Sequence, residues 1–250
     1  MPPPYRGVLF DLFGTLVGFD PVRLPTLEVG GERVRTTVGA LAPLLGEWVP
    51  EVAPATFLEV LRAVSEEMAH ARAPDHVELP SRERFRRALV RVGCDERVLL
   101  EAAVHLSRVH LGCIAAATVL PTAHAELVAS LRPRLRLGVV SNFDDTATAY
   151  DILSRHGLLA QLDTVVVSEA VGLRKPHPAA VRAGLRGLGL APRDVLFVGD
   201  TFGEDVAAAH AAGVDVAWID AAGSGVAPHE RPPRYVLRAL PELAAALGSA

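Results

Sequence analysis

The sequence predicts an α/β protein with a doubly wound parallel sheet and an inserted, mainly helical domain. Short apolar segments that end in polar residues alternate with segments of helical periodicity, which is the pattern of βαβ units. Residues 19–116 break this alternation, because they are mainly helix-periodic and are punctuated by prolines. We therefore predict a core domain made of residues 1–18 and 117–250 and an inserted domain made of residues 19–116.

The core domain is predicted to alternate strands with helices. The predicted strands are 7–11, 135–140, 164–167, 195–198, 214–219 and 235–237. The predicted helices are 123–131, 146–156, 178–188 and 206–212. Ligands of doubly wound sheets bind at the carboxyl ends of the strands, so the polar residues that end each strand are the candidate functional residues.

The inserted domain is predicted to contain a hairpin and amphipathic helices. Residues 27–36 would form the hairpin, with its turn at Gly30 and Gly31. One face of a helix would carry Phe57, Val60, Leu61, Val64 and Met68. The arginine-rich segment 81–91 is interpreted as a solvated helix face rather than a binding patch.

Composition limits the class of protein. Half of the 250 residues are hydrophobic and 22% are charged, which is enough apolar material for a folded core. The net charge of −4 argues against nucleic-acid binding, and no apolar run has the length of a signal or a membrane span. We expect a cytoplasmic monomer or homodimer that acts on a small-molecule substrate, with no nucleic-acid or membrane partner. Cys94 and Cys113 lack metal-ligand spacing and are expected to be reduced and buried.

Asp11 is the first candidate functional residue, at the end of the first predicted strand in VLFDLFGTLV. A buried acid is costly to desolvate unless it is paired, metal-bound or reactive. Gly14 and Thr15 follow it and supply a tight turn with a hydroxyl and free backbone N–H groups. The alternative is an aspartate that only caps the amides of the turn.

Ser141 and Asn142 end another predicted strand, in VVSNFDD. They precede Asp144 and Asp145, either of which can cap the next helix. Because Ser141 and Asn142 lie before the cap, they are free to bind an oxyanion.

Lys175, in GLRKPHPAAV, is the only lysine of a chain with 24 arginines. It presents a compact point charge where arginine would present a planar fork. It lies just before a helix predicted to begin at Pro178. The alternative is an ordinary surface lysine, and His177 is a candidate acid beside it.

Asp200 and Asp205 lie in VLFVGDTFGEDVAAAHAAG, where a predicted strand ends at Gly199. Glu204 and Asp205 are predicted in the first turn of the following helix, where acids favour the helix dipole. Several carboxylates that meet at one strand-end crevice would repel one another without a cation, and hard oxygen ligands suit Mg²⁺.

Taken in order, these segments resemble the four motifs of the haloacid dehalogenase superfamily of hydrolases. The matching segments are DLFGT, SNF, the lysine of RKPHP, and GDTFGED. The resemblance implies a Rossmann-like core, and the inserted domain occupies the place of that family's helical cap. It further implies a phosphatase-like site at the strand ends.

The resemblance also implies a role for each residue. Asp11 would be the nucleophile that forms an acyl phosphate, and Lys175 and Asp205 would be the other catalytic residues. Mg²⁺ would be held by Asp11, the backbone carbonyl of Phe13 and Asp200. The residues that would bind the phosphoryl group are Thr15, Ser141, Asn142 and Lys175. Phosphoryl transfer needs in-line placement and positive charge around the equatorial oxygens, which agrees with this set.

Phe13 departs from the family's phosphatases, which usually have an aspartate at that position. That aspartate protonates the leaving oxygen and later activates water, and phenylalanine does neither. A metal contact through the backbone carbonyl is kept. General acid–base catalysis is worth about 10²–10⁴-fold, so its loss matters.

Three functions stay open on these residues. The first is a Mg²⁺-dependent phosphatase that handles good leaving groups or takes its proton from Glu204, His177 or the inserted domain. The second is a 2-haloacid dehalogenase, whose leaving halide needs no proton. The third is a phosphate-binding protein without turnover, which only Phe13 supports.

The dehalogenase hypothesis has support at Phe13 but not in the later motifs. The asparagine and tyrosine of that branch are replaced here by Phe202 and Val181. Asp200 would also repel a carboxylate substrate unless a metal neutralised it. The imine mechanism of the phosphonate-cleaving branch is excluded unless the imine forms on Lys175, because the inserted domain has no lysine.

Overall fold

The computed structural model describes residues 5–225 and 231–248. The chain divides into two compact units, a core unit of Met1–Phe19 with Val119–Ala250 and an inserted unit of Asp20–Thr118. Phe19 groups with the core unit, and Ala117 and Thr118 group with the inserted unit, so each boundary differs from the predicted one by one or two residues. That the inserted unit acts as a cap stays a prediction.

Strands and helices fill both units. The strands of the described residues are β1 (Gly7–Phe10), β2 (Gly18–Phe19), β3 (Thr26–Val29), β4 (Glu32–Arg35), β5 (Thr118–Val119), β6 (Arg136–Ser141), β7 (Thr164–Val167), β8 (Val195–Gly199), β9 (Asp215–Ile219) and β10 (Tyr235–Leu237). The helices are α1 (Val38–Trp48), α2 (Pro54–Arg72), α3 (Ser81–Arg91), α4 (Leu99–Ala116), α5 (Thr122–Leu131), α6 (Thr146–Arg155), α7 (Ser168–Val171), α8 (Ala179–Leu188), α9 (Ala207–Ala211) and α10 (Leu243–Ala246).

The core unit contains a six-stranded sheet in the order β10-β9-β8-β1-β6-β7. Every neighbouring pair in it is parallel, which confirms the predicted fold class. β1 is central and all four of its residues are buried, as expected of an apolar strand covered on both faces. The chain adds β6 and β7 on one side of β1 and then β8, β9 and β10 on the other. The strand order therefore reverses between β1 and β8, which is where such sheets bind ligands.

All six predicted strands of the core are present, with ends shifted by at most about one residue. Three of the four predicted helices are α5, α6 and α8. The fourth is α9, which agrees with the prediction within one residue at each end, but a π-helical turn, Phe202–Val206, precedes it. Asp205 thus lies in a π-helical turn rather than in the first turn of an α-helix. Its side chain accepts hydrogen bonds from the backbone amides of Asp200 and Thr201, which precede this turn.

The inserted unit has its own hydrophobic core, formed by its helices and by the β3–β4 hairpin. The hairpin turns at Gly30 and Gly31 with φ of 60° and 85°, which confirms the predicted turn. On α2 the buried positions are Phe57, Leu58, Leu61, Val64 and Met68. Val60, which was predicted on this face, is only partly buried, whereas Leu58 was not predicted. Arg86 and Arg87 of α3 pair with Glu83 on a half-exposed face, in agreement with a solvated helix face.

One helix of the described residues, α4, is long and apolar enough to cross a membrane by length and composition. No continuous apolar run marks it in the sequence, because Glu101 and Arg108 interrupt it. Six of its residues are buried within the inserted unit. A helix in the core of a folded domain passes the same test, so this single helix is weak support for a membrane span.

Leu106 and Leu100 of α4 offer a matched test of that buried face. Leu106 is fully buried, whereas Leu100 is 70% exposed. We expect Leu106→Ala to lower the free energy of unfolding by about 2–5 kcal/mol, because it removes buried methyl groups and leaves a cavity. Leu100→Ala should change it by no more than about 0.5 kcal/mol. Urea denaturation followed by circular dichroism measures both, and equal losses would contradict the packing described for α4.

Candidate active site

Lys175 is buried and binds two carboxylates at the carboxyl ends of the central strands. Its ammonium donates hydrogen bonds to Asp11 Oδ1 at 2.5 Å, to Asp205 Oδ1 at 2.7 Å and to the backbone carbonyl of Val140 at 2.9 Å. Lys175 is only 1% exposed and Asp11 only 7% exposed. The interpretation of Lys175 as an ordinary surface lysine is therefore wrong.

Asp205 connects Lys175 to the backbone that follows β8. Its second oxygen, Oδ2, accepts hydrogen bonds from the backbone N–H groups of Asp200 at 3.1 Å and Thr201 at 2.9 Å. Gly199 allows this approach, because a Cβ there would lie 2.4 Å from Cγ of Asp205. Both oxygens of Asp205 are thus engaged, one by the ammonium and one by the backbone.

Asp200 lies against the turn that follows Asp11. The hydroxyl of Thr15 is 3.4 Å from Asp200 Oδ1, and the indole of Trp218 donates to the backbone carbonyl of Asp200 at 2.9 Å. Gly14 has φ of 79°, and a Cβ on it would lie 2.3 Å from Asp200 Oδ2. The turn after β1 therefore needs glycine both for its backbone conformation and for the space that Asp200 occupies.

The cluster carries three carboxylates against one ammonium. Burial raises the pKa of the Asp11 carboxyl to about 7, and the charge of Lys175 opposes that rise. Burial also raises the pKa of Asp200, and the charge of Asp205 acts in the same direction. For Lys175, burial lowers the pKa, but its two carboxylate partners outweigh burial and raise it overall. The negative charge of the cluster is incompletely balanced by its own residues.

These carboxylates fit a hard divalent cation. One oxygen from each of Asp11, Asp200 and Asp205 lies within 4.8 Å of the others. Oxygen donors of this kind suit Mg²⁺. A cation would also supply the positive charge that the cluster lacks, so the residues present fit the metal.

Ser141 and Asn142 were both predicted to bind an oxyanion, but their side chains differ in their hydrogen-bond partners. Within the described residues, Ser141 Oγ is buried and has no hydrogen-bond partner, so it is available to a ligand. The amide of Asn142, in contrast, binds the backbone of Lys175 and the carboxylate of Glu204. The expectation that both side chains are free therefore fits Ser141 and does not fit Asn142.

A family model for haloacid dehalogenase-like hydrolases matches residues 5–213. The chain belongs to this family. The resemblance predicted from the four motifs is confirmed. Two curated relatives are phosphatases by name: the phosphoglycolate phosphatase of Rhodospirillum rubrum is 41% identical over 103 residues, and the phosphoserine phosphatase of Thermus thermophilus is 33% identical over 100 residues.

These matches are partial in length. The match to the Rhodospirillum rubrum protein covers 41% of this haloacid dehalogenase-like hydrolase and 42% of that protein. The match to the Thermus thermophilus protein covers 40% of each chain. The chain thus spans about two fifths of the length of these relatives. A solved 2-haloacid dehalogenase from Pseudomonas syringae pv. tomato matches 97% of this chain and 98% of its own, with a TM-score of 0.73 and 22% identity. At that identity the likeness concerns the fold.

Phe13 of this haloacid dehalogenase-like hydrolase is half-buried and packs against Phe143, with ring centroids 5.2 Å apart.

Two other predicted residues bind the backbone at the starts of helices. His177 Nδ1 lies 3.2 Å from the backbone N–H of Ala179, so that ring atom accepts a hydrogen bond at the start of α8. Asp145, rather than Asp144, caps α6 by accepting from the backbone N–H of Thr148 at 2.8 Å.

Sequence reasoning missed three contributors to the site of this hydrolase. They are the backbone carbonyl of Val140, the glycine at position 199 and the indole of Trp218. A glycine directly before a strand-end aspartate indicates that another group approaches the backbone closely, and this signal predicts the role of Gly199. Nothing in the sequence marks the carbonyl or the indole, because their contacts join residues far apart in the chain.

Gly14→Ala tests the close packing of the turn against Asp200, with Gly172→Ala as its control. Both glycines have φ of 79°, but nothing lies within 4 Å of a Cβ at Gly172. Both variants should lose about 1–2 kcal/mol of stability from the left-handed backbone. Gly14→Ala should lose about 1–3 kcal/mol more, because Asp200 must move. Denaturant unfolding measures the difference, and equal losses would show that Asp200 moves aside freely.

Proposed function

We propose that the protein is a Mg²⁺-dependent phosphatase that acts on a small phosphorylated metabolite through Asp11. The observation that carries this proposal is the meeting of Asp11, Asp200 and the buried ammonium of Lys175 where the strand order reverses. This group combines a carboxylate nucleophile, a cation for the charge of a phosphoryl group and oxygen donors for a metal. The phosphatase names of the two curated relatives support the same proposal.

Asp11, Asp200 and the backbone carbonyl of Phe13 would hold Mg²⁺. Asp205 would act differently, because both of its oxygens already accept hydrogen bonds, one from Lys175 and one from backbone amides. It would keep the ammonium and the backbone of Asp200 in place. When bound, the metal supplies positive charge next to the phosphoryl oxygens.

The proposed reaction has two steps. A carboxylate oxygen of Asp11 attacks phosphorus, so that an Asp11–phosphorus bond forms and the bond from phosphorus to the leaving oxygen breaks. Water then cleaves the acyl phosphate, which releases inorganic phosphate and restores Asp11. The free hydroxyl of Ser141 would bind the transferring group, the ammonium of Lys175 would offset its negative charge, and Thr15 would lie near it. Positioning and electrostatic stabilisation of this kind supply most of the catalysis in phosphoryl transfer.

Phe13 limits the leaving groups that this site handles well. Its ring packs on Phe143 and has no proton to give. Departure of an alkoxide without protonation is slow, whereas an aryl oxide or a carboxylate leaves as a stable anion. We therefore infer a preference for acyl or aryl phosphates over alkyl phosphates.

Dehalogenation is the second candidate, favoured by Phe13 alone. Asp200 and Glu204 add negative charge near the site, which opposes binding of a carboxylate substrate. The structural likeness to a 2-haloacid dehalogenase concerns the fold and does not favour either chemistry.

A substrate panel with Mg²⁺ and with chelator tests the proposal. The panel contains aryl, acyl and sugar phosphates and 2-chloropropionate, and phosphate or chloride release is measured. We expect phosphate release with Mg²⁺, its loss with chelator, and faster turnover of aryl and acyl phosphates than of sugar phosphates. Asp11→Asn serves as the control for contaminating phosphatases and should abolish turnover. Chloride release that survives the chelator would instead establish the dehalogenase. The absence of phosphate and chloride release from every substrate would favour the phosphate-binding protein without turnover.

Phe13→Asp tests the missing acid directly. We expect it to raise kcat for alkyl phosphates, because a carboxyl group at this position can protonate the leaving oxygen; acid–base help is worth about 10²–10⁴-fold at most. Aryl phosphates should gain little, since their leaving groups need no proton. Steady-state kinetics on one alkyl and one aryl phosphate measure both effects. An unchanged rate on the alkyl phosphate, in a variant that keeps its stability, would mean that another residue supplies the proton.

A further inference from the structure

We infer that Asn142 and Glu204 are positioning residues that hold the backbone of Lys175, so that its ammonium stays between Asp11 and Asp205. This inference rests on the proposed function for its catalytic consequence, but its structural part stands by itself. It gives Asn142 a different role from phosphate binding through its side chain. It also gives Glu204 a different role from proton donation.

Asn142 binds the backbone of Lys175 at two points. Its Oδ1 accepts a hydrogen bond from the N–H of Lys175 at 2.7 Å, and its Nδ2 donates to the carbonyl of Lys175 at 2.9 Å. One amide group therefore pairs with both polar groups of a single residue. Asn142 directly follows β6, so this pairing ties the segment before α8 to the end of a core strand.

Glu204 selects the orientation of the Asn142 amide. Its Oε2 accepts a second hydrogen bond from Nδ2 of Asn142, at 2.9 Å. An ionised carboxylate only accepts, so it pairs with the NH₂ side of the amide and disfavours the flipped form. Arg174 Nη2 lies 3.7 Å from the other oxygen of Glu204, with both side chains partly exposed, so this ion pair adds little by itself.

Lys175 is thus held at both ends. Asn142 holds its backbone, while Asp11, Asp205 and the carbonyl of Val140 hold its ammonium. A lysine side chain is long and has many rotamers, so a fixed backbone restricts where the ammonium can go. Small displacements of a catalytic group lower the reaction rate. The contacts of Asn142 and Glu204 therefore affect catalysis although neither side chain touches the reacting atoms.

Kinetics of two Glu204 variants separate positioning from proton donation. The glutamine of Glu204→Gln still offers an oxygen to Nδ2 of Asn142, whereas the alanine of Glu204→Ala offers none. We expect Glu204→Ala to lower kcat by about tenfold on aryl and alkyl phosphates alike, with a smaller change in KM. Glu204→Gln should stay within about threefold of the parent protein. Asp151→Ala is the matched control, because Asp151 is also a partly exposed carboxylate paired with an arginine, and it should leave kcat unchanged.

Two kinetic results would overturn the inference. One is an unchanged kcat in Glu204→Ala. The other is a loss that is confined to alkyl phosphates and shared by Glu204→Gln, which would make Glu204 the proton donor.

A second measurement needs no activity, because Lys175 is the only lysine of the chain. Protein grown with ¹⁵N-lysine gives a single lysine amide signal, and that amide is the one bound to Asn142 Oδ1. We expect its hydrogen exchange to be about fivefold or more faster in Asn142→Ala and Glu204→Ala, and close to the parent rate in Glu204→Gln and Asp151→Ala. Equal exchange in all variants would refute the positioning role even if every phosphate is hydrolysed. Faster exchange in a protein that hydrolyses no phosphate would refute the proposed function and retain the positioning role.

Discussion

The ammonium of Lys175, buried between the carboxylates of Asp11 and Asp205, is the interaction on which the arrangement of the site depends. Burying a charge costs several kcal/mol, and this cost is recovered only if the geometry is good and the remaining hydrogen-bonding capacity is used. Here the ammonium has three acceptors between 2.5 and 2.9 Å. The lysine in turn reduces the electrostatic repulsion between the two carboxylates.

The backbone around this cluster is adapted to it. Asp205 reaches the amides after β8 because Gly199 has no side chain, and Asp200 fits against the first turn because Gly14 has none. These contacts draw together residues from β1 and β8, the two strands between which the sheet order reverses. The parallel sheet thus supplies the location, and the glycines supply the space in which the carboxylates approach one another.

The family and the site support hydrolysis, while Phe13 narrows what the site can do. The chain is a haloacid dehalogenase-like hydrolase with a carboxylate, a lysine and oxygen donors for a metal, but the position after Leu12 offers a ring instead of an acid. Phosphoryl transfer tolerates this when the leaving group is stable as an anion, because charge stabilisation rather than proton transfer then dominates the barrier. In our proposal the chemistry of the leaving group, rather than the fold, therefore sets the substrate class.

The sequence by itself determined the fold class, the six strands of the core and the short list of polar residues at their ends. These follow from local patterns: β1 is a continuous apolar segment, and Asp11 and Asp200 each stand directly after such a segment. Only the tertiary structure decided what each polar group binds. It assigned the amide of Asn142 to the backbone of Lys175, left Ser141 Oγ without a partner in the described chain, and placed Asp205 in a π-helical turn. The physical reason is that Asn142 and Asp205 meet Lys175 across 30 or more positions of the chain, and that the approach of Asp205 to the amides after β8 requires a glycine at position 199. Neither is encoded in local periodicity.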